Sequence, residues 1–417
     1  MYRHGVYISE VPTGILTPVR VDSALPVVVG AAPVHTLDED EKKPVNEPRL
    51  IFTYREFVQQ FGSPGEGESS HEYTLTEFAE QYFGIYGVAP IVAINVFDPE
   101  KHVREQDGEK VPDVSKVTAA DIIGGIDGVT HKRSGLELVA EVFPRFRLVP
   151  GQILAPGFSG DEAVAITIGA KCDAVNGHFK ATGIIDIPAS VAHYTEAPAW
   201  LNDNNLVDKH LIAFLGQPRT GDKIHWGSTH LAGVIAKRDS ENASVPYWSP
   251  SNKRLLANGL MHGGEELILD ESAAAWLNGN GIVTGLNFIG GMVAWGNRTA
   301  AYPGNTDVKD TFIPIRRMFN WIGNTLVLTA WQLVDAPIRR RMIESVCDTF
   351  NVWLNGLAAR EFILGGRVHF LESENPTSDL MDGIVRFHLY VTPPSPAREI
   401  EFIMEYDPSY LSTLFGE

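Results

Sequence analysis

The chain has 417 residues, more than one hydrophobic core usually serves, so two or three domains are expected. Apolar residues make up 44% and charged residues 21%, which excludes a disordered or fibrous polymer. Thirty-four Lys and Arg stand against 52 Asp and Glu, and the resulting net charge of −18 excludes a surface built to wrap nucleic acid or lie on anionic lipid.

Residues 1–20 read as an arm. Val6, Tyr7, Ile8, Ser9 and Glu10 form a strand-like run that Pro12, Gly14 and Pro18 then break. A strand caught between a chain end and such a break has no hairpin partner nearby. It must pair with something distant, in its own chain or in another.

From residue 21 the pattern alternates. Apolar runs at 27–30, 91–96, 184–187 and 211–215 predict buried strands, and 54–61 and 74–86 predict helices. Buried strands alternating with helices imply a largely parallel α/β sheet. Residues 38–49 and 100–116, charged and proline-bearing, read as exposed loops. Asp335, Ala336 and Pro337 read as a helix start, followed by Ile338, Met342, Val346, Phe350, Trp353, Leu354 and Leu357 on one stripe. Two alternating runs close the chain. In residues 384–391, Val385, Phe387, Leu389 and Val391 share a face; in residues 400–406, Ile400, Phe402, Met404 and Tyr406 do. The expected fold class is multi-domain α/β: an arm (1–20), an outer α/β region with a mixed sheet (21–310, with a sub-domain near 98–190), an inner C-terminal α+β domain (311–398), and a terminal strand and arm (399–417).

Catalytic signatures nearly form, and each fails at a named position. The run 157–161 resembles a nucleophile elbow, but Asp161 stands where that turn needs glycine. The glycines of 278–285 have the wrong spacing for a phosphate loop, with Thr284 where glycine is required. His71 and Glu72 open like a zinc-protease helix that Leu75 cannot complete. Cys172 and Cys347 belong to no CxxC pair, so no zinc cage or disulfide framework is expected. A hydrolase would have to draw on Ser159, His193 and Asp186 without the required local turn. No cofactor, catalytic residue or metal ligand is assigned. The N-terminus lacks the apolar core of a secretory signal, and no apolar run approaches membrane-spanning length.

A set of short stations, in order, carries a family likeness. Residues 5–14 (GVYISEVPTG), 122–127 (IIGGID), 153–157 (ILAPG), 233–239 (GVIAKRD), 248–252 (WSPSN), 285–287 (GLN), 295–299 (WGNRT) and 396–400 (PAREI) together resemble contractile phage tail sheath proteins, including the sheaths of R-type bacteriocins and related contractile injection systems. One departure is Gly290, Gly291, Met292 and Val293, glycine-rich where relatives carry an arginine-containing stretch.

The resemblance implies a structural subunit that polymerises as stacked hexameric rings around a tail tube and contracts to drive the tube through a cell envelope. Its partners would be copies of itself, the inner tube protein, and baseplate and terminator proteins, with no nucleic acid and no membrane insertion. It would reside in a virion tail assembled in the bacterial cytoplasm. Residues 6–10 would exchange between subunits onto a sheet made by 384–391 and 400–406, about a hinge at Pro12, Gly14 and Pro18. Arg316, Arg317, Arg339, Arg340 and Arg341, concentrated in an acidic chain, would face the tube, unless they line a solvated helix face or pair locally with Glu344 and Asp348. A hydrolase or another tail component are the alternatives.

Overall fold

A computed structural model of the chain describes residues 18–415, apart from 20, 39–41, 66 and 107. The strands of the main sheet are β1 (Pro26–Gly30), β2 (Arg49–Ile51), β3 (Ile91–Asn95), β4 (Gln152–Leu154), β5 (Thr182–Asp186), β6 (Leu211–Leu215), β7 (Lys253–Arg254), β8 (Ile282–Phe288) and β9 (Gly291–Trp295). Among the described residues they run in the order β7-β9-β8-β6-β5-β4-β1-β3-β2. The six central strands are parallel, and β2, β9 and β7 are antiparallel additions at the two edges. β1, β3, β4, β5 and β6 are buried along their whole length. Helices on both faces produce this, and it explains why those strands read as unbroken apolar runs.

Five helices matter here. α1 (Tyr54–Phe61) is capped by Thr53, whose hydroxyl accepts from the Glu56 N–H. α2 (Thr74–Ala79) continues as a π-turn to Ile85. α3 (Glu162–Asp173) is capped by Asp161, which accepts from the Ala163 and Val164 N–H groups. α4 (Gly227–Glu241) is buried for most of its length. A Cβ at its Gly233 would lie 2.3 Å from the Tyr86 ring, so only glycine lets these elements meet. α5 (Ile313–Ala330) docks onto the outer body. Trp321 Nε1 donates to Val21 O (2.9 Å), and the Asn320 and Asn324 amides donate to Ala181 O and Lys180 O.

The C-terminal unit comprises α6 (Arg340–Ala358), β10 (Gly365–His369) and β11 (His388–Thr392), with β10 and β11 antiparallel. Val346, Phe350, Trp353, Leu354 and Leu357 of α6 are buried, as the apolar stripe requires.

Three expectations are corrected. Residues 100–116 are not simply loop: Val103–Gln106 and Glu109–Pro112 pair as a hairpin, whose charged side chains hid its strand character. The helix expected to start at 335–337 begins at Arg340, because Asp335 takes a left-handed φ of +65° and ends the preceding turn. Residues 400–406 make no ladder with residues 384–391. They are exposed and hold no strand partner among the described residues.

Candidate assembly surfaces

The carboxyl ends of parallel strands, where the strand order reverses, are where this architecture usually receives ligands. Here that point lies between β1 and β4, where the chain's own side chains narrow the crevice beside a cavity of about 370 Å³ bordered by Gly157, Asp186 and Trp226. Thr74 Oγ1 accepts from the Ala31 N–H (3.2 Å). Gly157, at φ +80°, lies so close to Thr74 and Trp226 that a Cβ would stand 2.9 and 3.2 Å from them. The Trp226 ring stacks on His71 at 5.2 Å, and the Trp226 backbone N–H donates to the buried carboxylate of Glu77 (2.8 Å). Glu77 also binds His71 Nδ1 (2.5 Å) and the Gln81 amide (3.0 Å). Burial pushes the Glu77 carboxyl above its usual range, against the lowering effect of His71.

The hydrolase candidates sit beside this plug without forming a triad. Ser159 Oγ accepts from the Asp186 N–H (2.9 Å) and donates to Asp186 Oδ2 (3.3 Å). Asp186 also accepts from the N–H and hydroxyl of Ser228 (2.7 and 2.5 Å), which caps α4. Its carboxyl is pushed up to about 6, chiefly by burial. His193 is turned to its own loop, with Nδ1 on Thr195 Oγ1 at 2.7 Å. Asp186 therefore positions a helix. His71, the would-be metal ligand, is the partner of Glu77. Among the described residues no His, Cys, Asp and Glu group has a metal-holding arrangement, and no helix is long and apolar enough to cross a membrane.

The five arginines separate into two kinds. Arg317 is buried (side chain 3% exposed) and clamps Asp239 of α4 through Nη1–Oδ1 (3.0 Å) and Nη2–Oδ2 (2.5 Å). It also donates to Ser23 O (3.1 Å), while the Ser23 hydroxyl donates to Asp239. Arg316 is buried against Asp310 (2.9 Å) and Asn320 (3.1 Å). A tube-facing role for Arg316 and Arg317 is thus corrected: a partnered guanidinium in the core presents no charge to another molecule. Arg339, Arg340 and Arg341 are exposed at the start of α6, and Arg340 pairs with Glu344 (2.7 Å).

The family stations converge. Trp248, Ser251 and Asn252, Trp295 to Arg298, and Pro396 to Glu399 line one cleft of about 790 Å³ between the outer body and the terminal segment. Trp248 lies between Arg238 (4.7 Å) and Lys253 (5.3 Å). The Gly296 N–H donates to Ser251 Oγ (3.0 Å), and the Asn252 N–H to Ala294 O (2.6 Å), which joins two stations directly. Asp239, the last residue of another station, is the partner of Arg317. The glycine-rich departure is a tight turn: Phe288 pairs with Gly291 across Ile289 and Gly290.

Of the exchange residues, Val385, Phe387 and Leu389 are half-buried over α6, while Ile400, Phe402 and Met404 are exposed. Val6, Tyr7, Ile8, Ser9, Glu10, Pro12 and Gly14 lie outside the described residues. Pro18 is described, and the next residue, Val19, donates its N–H to Thr329 Oγ1 on α5 (3.1 Å).

Among the described residues the two-stranded sheet keeps one edge without a strand, and the alternating segment 400–406 has no ladder. No family model matches the chain. The tail sheath protein of Burkholderia phage BcepMu is 27% identical over 317 residues, 73% of this chain and 65% of that protein, so the match spans just under two thirds of that relative. A prophage major tail sheath protein of Pseudomonas aeruginosa is 25% identical over 419 aligned positions, 98% of this chain and 97% of the other. Among solved structures, the sheath of the extracellular contractile injection system PVC in its contracted state shares the fold at TM-score 0.67 and 16% identity, covering 98% and 99% of the two chains. The contracted helical sheath of the anti-feeding prophage does so at 0.66 and 16%, covering 98% and 100%. A sheath tail protein of Listeria innocua follows at 0.53 and 12%, covering 90% and 96%. The fold is that of contractile sheath subunits, and in sequence the chain resembles phage and prophage tail sheath proteins, in one case along nearly the whole length of both chains.

Proposed function

We propose that this subunit polymerises as stacked hexameric rings around an inner tube, without catalysing a reaction, and contracts to drive that tube through a target envelope. The observation that carries the reading is the incomplete C-terminal sheet. β11 has β10 on one side and, among the described residues, no strand on the other, while residues 400–406 have strand alternation and no ladder. Strand addition between copies satisfies both. Residues 400–406 of one copy and Val6 to Glu10 of another would extend the same sheet, which keeps the sequence expectation while assigning its strands to different chains.

Burying Ile400, Phe402, Met404 and Tyr406 would contribute about 1.5–3 kcal/mol each. Ordering the segment costs about 1–2 kcal/mol per residue. These terms nearly cancel, so a single arm binds weakly and a lattice of many arms is needed. Contraction would move subunits as solid bodies about the linkers near Pro12, Gly14 and Pro18, releasing free energy trapped at assembly. The docking of α5 on the outer body supports placing the inner domain's mechanical boundary at the 334–339 connection rather than at 311. Exposed Arg339 and Arg341, with Arg340, are the residues suited to meet an acidic tube. Association with a baseplate and a tail terminator, location in a tail, and assembly in the bacterial cytoplasm follow from the same reading.

Deleting residues 1–15 tests it. The expected product is a folded monomer, with unchanged circular dichroism and melting, that forms no tubes by negative-stain microscopy. Tubes like those of the intact chain would sink the exchange reading.

A further inference from the structure

The open edge of the C-terminal sheet has a charged face as well as an apolar one. Beneath the sheet, α6 supplies Phe350, Trp353 and Leu354, and Val368 of β10 is buried over it. α6 also closes the far edge of β10. Asn351 Oδ1 accepts from the Val368 N–H (2.7 Å), and Asn351 Nδ2 donates to Val368 O (3.2 Å). A new strand therefore has β11 as its seat. On the outward face Arg367 leaves β10 and lays its guanidinium over the Tyr390 ring of β11, 4.3 Å from the centroid, towards the open edge. The other cationic groups nearby are matched already: Arg386 with Asp379 (2.5 Å) and His388 with Glu374 (2.6 Å). Arg367 has no carboxylate partner among the described residues.

The free segment carries the complement. Ile400, Phe402, Met404 and Tyr406 fall on one side (71%, 85%, 94% and 76% exposed), and Glu401 and Glu405, with Ile403 between them, on the other. Among the described residues neither glutamate has a cationic partner, whereas Glu399 pairs with Arg398 (3.1 Å).

Resting on the strand-exchange reading above, we propose that a glutamate of the arm, Glu401 or Glu405, sets its register along β11 of a second copy by pairing with that copy's Arg367. With the apolar side turned to α6, both carboxylates stand on the face that carries Arg367; they lie about 13.6 Å apart along the strand, so one of them at a time comes opposite Tyr390, at the inter-strand spacing of about 4.8 Å. A slip of one residue would turn both carboxylates into the core and Phe402 and Met404 into water. A slip of two keeps the faces but moves the paired carboxylate about 6.8 Å along the strand and can bring Ile403 opposite Arg367 in its place. The apolar side alone cannot reject that second error; the charges can.

The test uses the full chain with Glu401→Arg/Glu405→Arg, with Arg367→Glu, and with all three changes together. All three positions lie at the surface, so each variant is expected to keep the intact chain's melting curve. Each reversal is expected to raise the concentration at which tubes appear in sedimentation by about tenfold at low salt, the size of one good charge pair. The combined variant is expected to return to within about threefold of the intact chain. Reversals that polymerise like the intact chain, or a combined variant no better than its parents, overturn the proposal. Deletion of residues 400–415 separates the two levels. If it abolishes tubes while the charge reversals do nothing, register control alone falls; if it leaves tubes unchanged, the arm exchange itself falls.

Discussion

Truncating Arg317 would strand the Asp239 carboxylate in a core that gives it only Ser23 for company. Removing one partner of a buried pair costs about 3–5 kcal/mol, whereas an exposed i,i+4 pair is worth about 0.3–0.5 kcal/mol. Arg317→Ala is therefore expected to lower the urea midpoint sharply and Arg340→Ala barely to move it. Equal losses would contradict the separation of the five arginines. A second residue-scale expectation concerns acid. Burial pulls the imidazole of His230 down to about 3 and that of His225 to about 4, the latter helped by Lys223 and the former by His225. Both rings are thus neutral in the fold, with Tyr86 Oη and the other imidazole as partners of His230. The unfolded chain takes up their protons as pH falls through about 6.5. Their stabilisation is complete above that pH and is lost below it, by about 2–3 kcal/mol for His230 between 6.5 and 4.5. Asp186, raised to about 6, works the opposite way between about 6 and 4. The two imidazoles outweigh it, so the melting temperature should fall from pH 7 to 4.5 and fall less in His225→Gln. A flat profile for the intact chain would refute this.

At the scale of elements, the main sheet was legible because both of its faces are covered: strands buried on two sides are apolar without interruption, as residues 27–29 and 211–215 are. The hairpin at 103–112 was not, since its pairing rests on backbone hydrogen bonds under side chains such as Glu105 and Lys110. The Asp239–Arg317 clamp was hidden by a sequence separation of 78. The available signal was an arginine beside Met318, Trp321 and Ile322 on an apolar helix, which asks for a buried carboxylate. Residues 400–406 are a different failure. Their alternation was read correctly as strand-like, but it describes a surface for a partner rather than a place in the chain's own sheet. Sequence pattern reports which face will be buried and is silent about which molecule will bury it.

For the whole molecule, the placement of the stations along the chain and their convergence on one cleft have a single explanation. Trp248, Asn252, Trp295 and Arg298 line the outer-body side of the cleft, and Pro394 to Glu399 of the terminal segment line the other, just before the arm begins. Candidate catalytic residues were rejected in sequence because each lacked one required position. The geometry supplies the positive counterpart: Asp161 and Asp186 are helix caps, and Glu77 braces a loop.

The narrowed crevice also makes the subunit open to chemical control. Trp226 borders a cavity of about 370 Å³ that Phe158, Pro188 and His262 also line. Trp226 is half-buried, so Trp226→Gly would enlarge the cavity by about the volume of an indole at a cost below the roughly 3–5 kcal/mol of truncating a fully buried aromatic side chain. A hole of that shape takes up small aromatic solutes. Added indole should then raise the melting temperature of Trp226→Gly and leave the intact chain unchanged, and a variant indifferent to indole would show that the crevice collapses instead. A plug in a force-bearing part would, once removed, let a small molecule decide how stiff that part is.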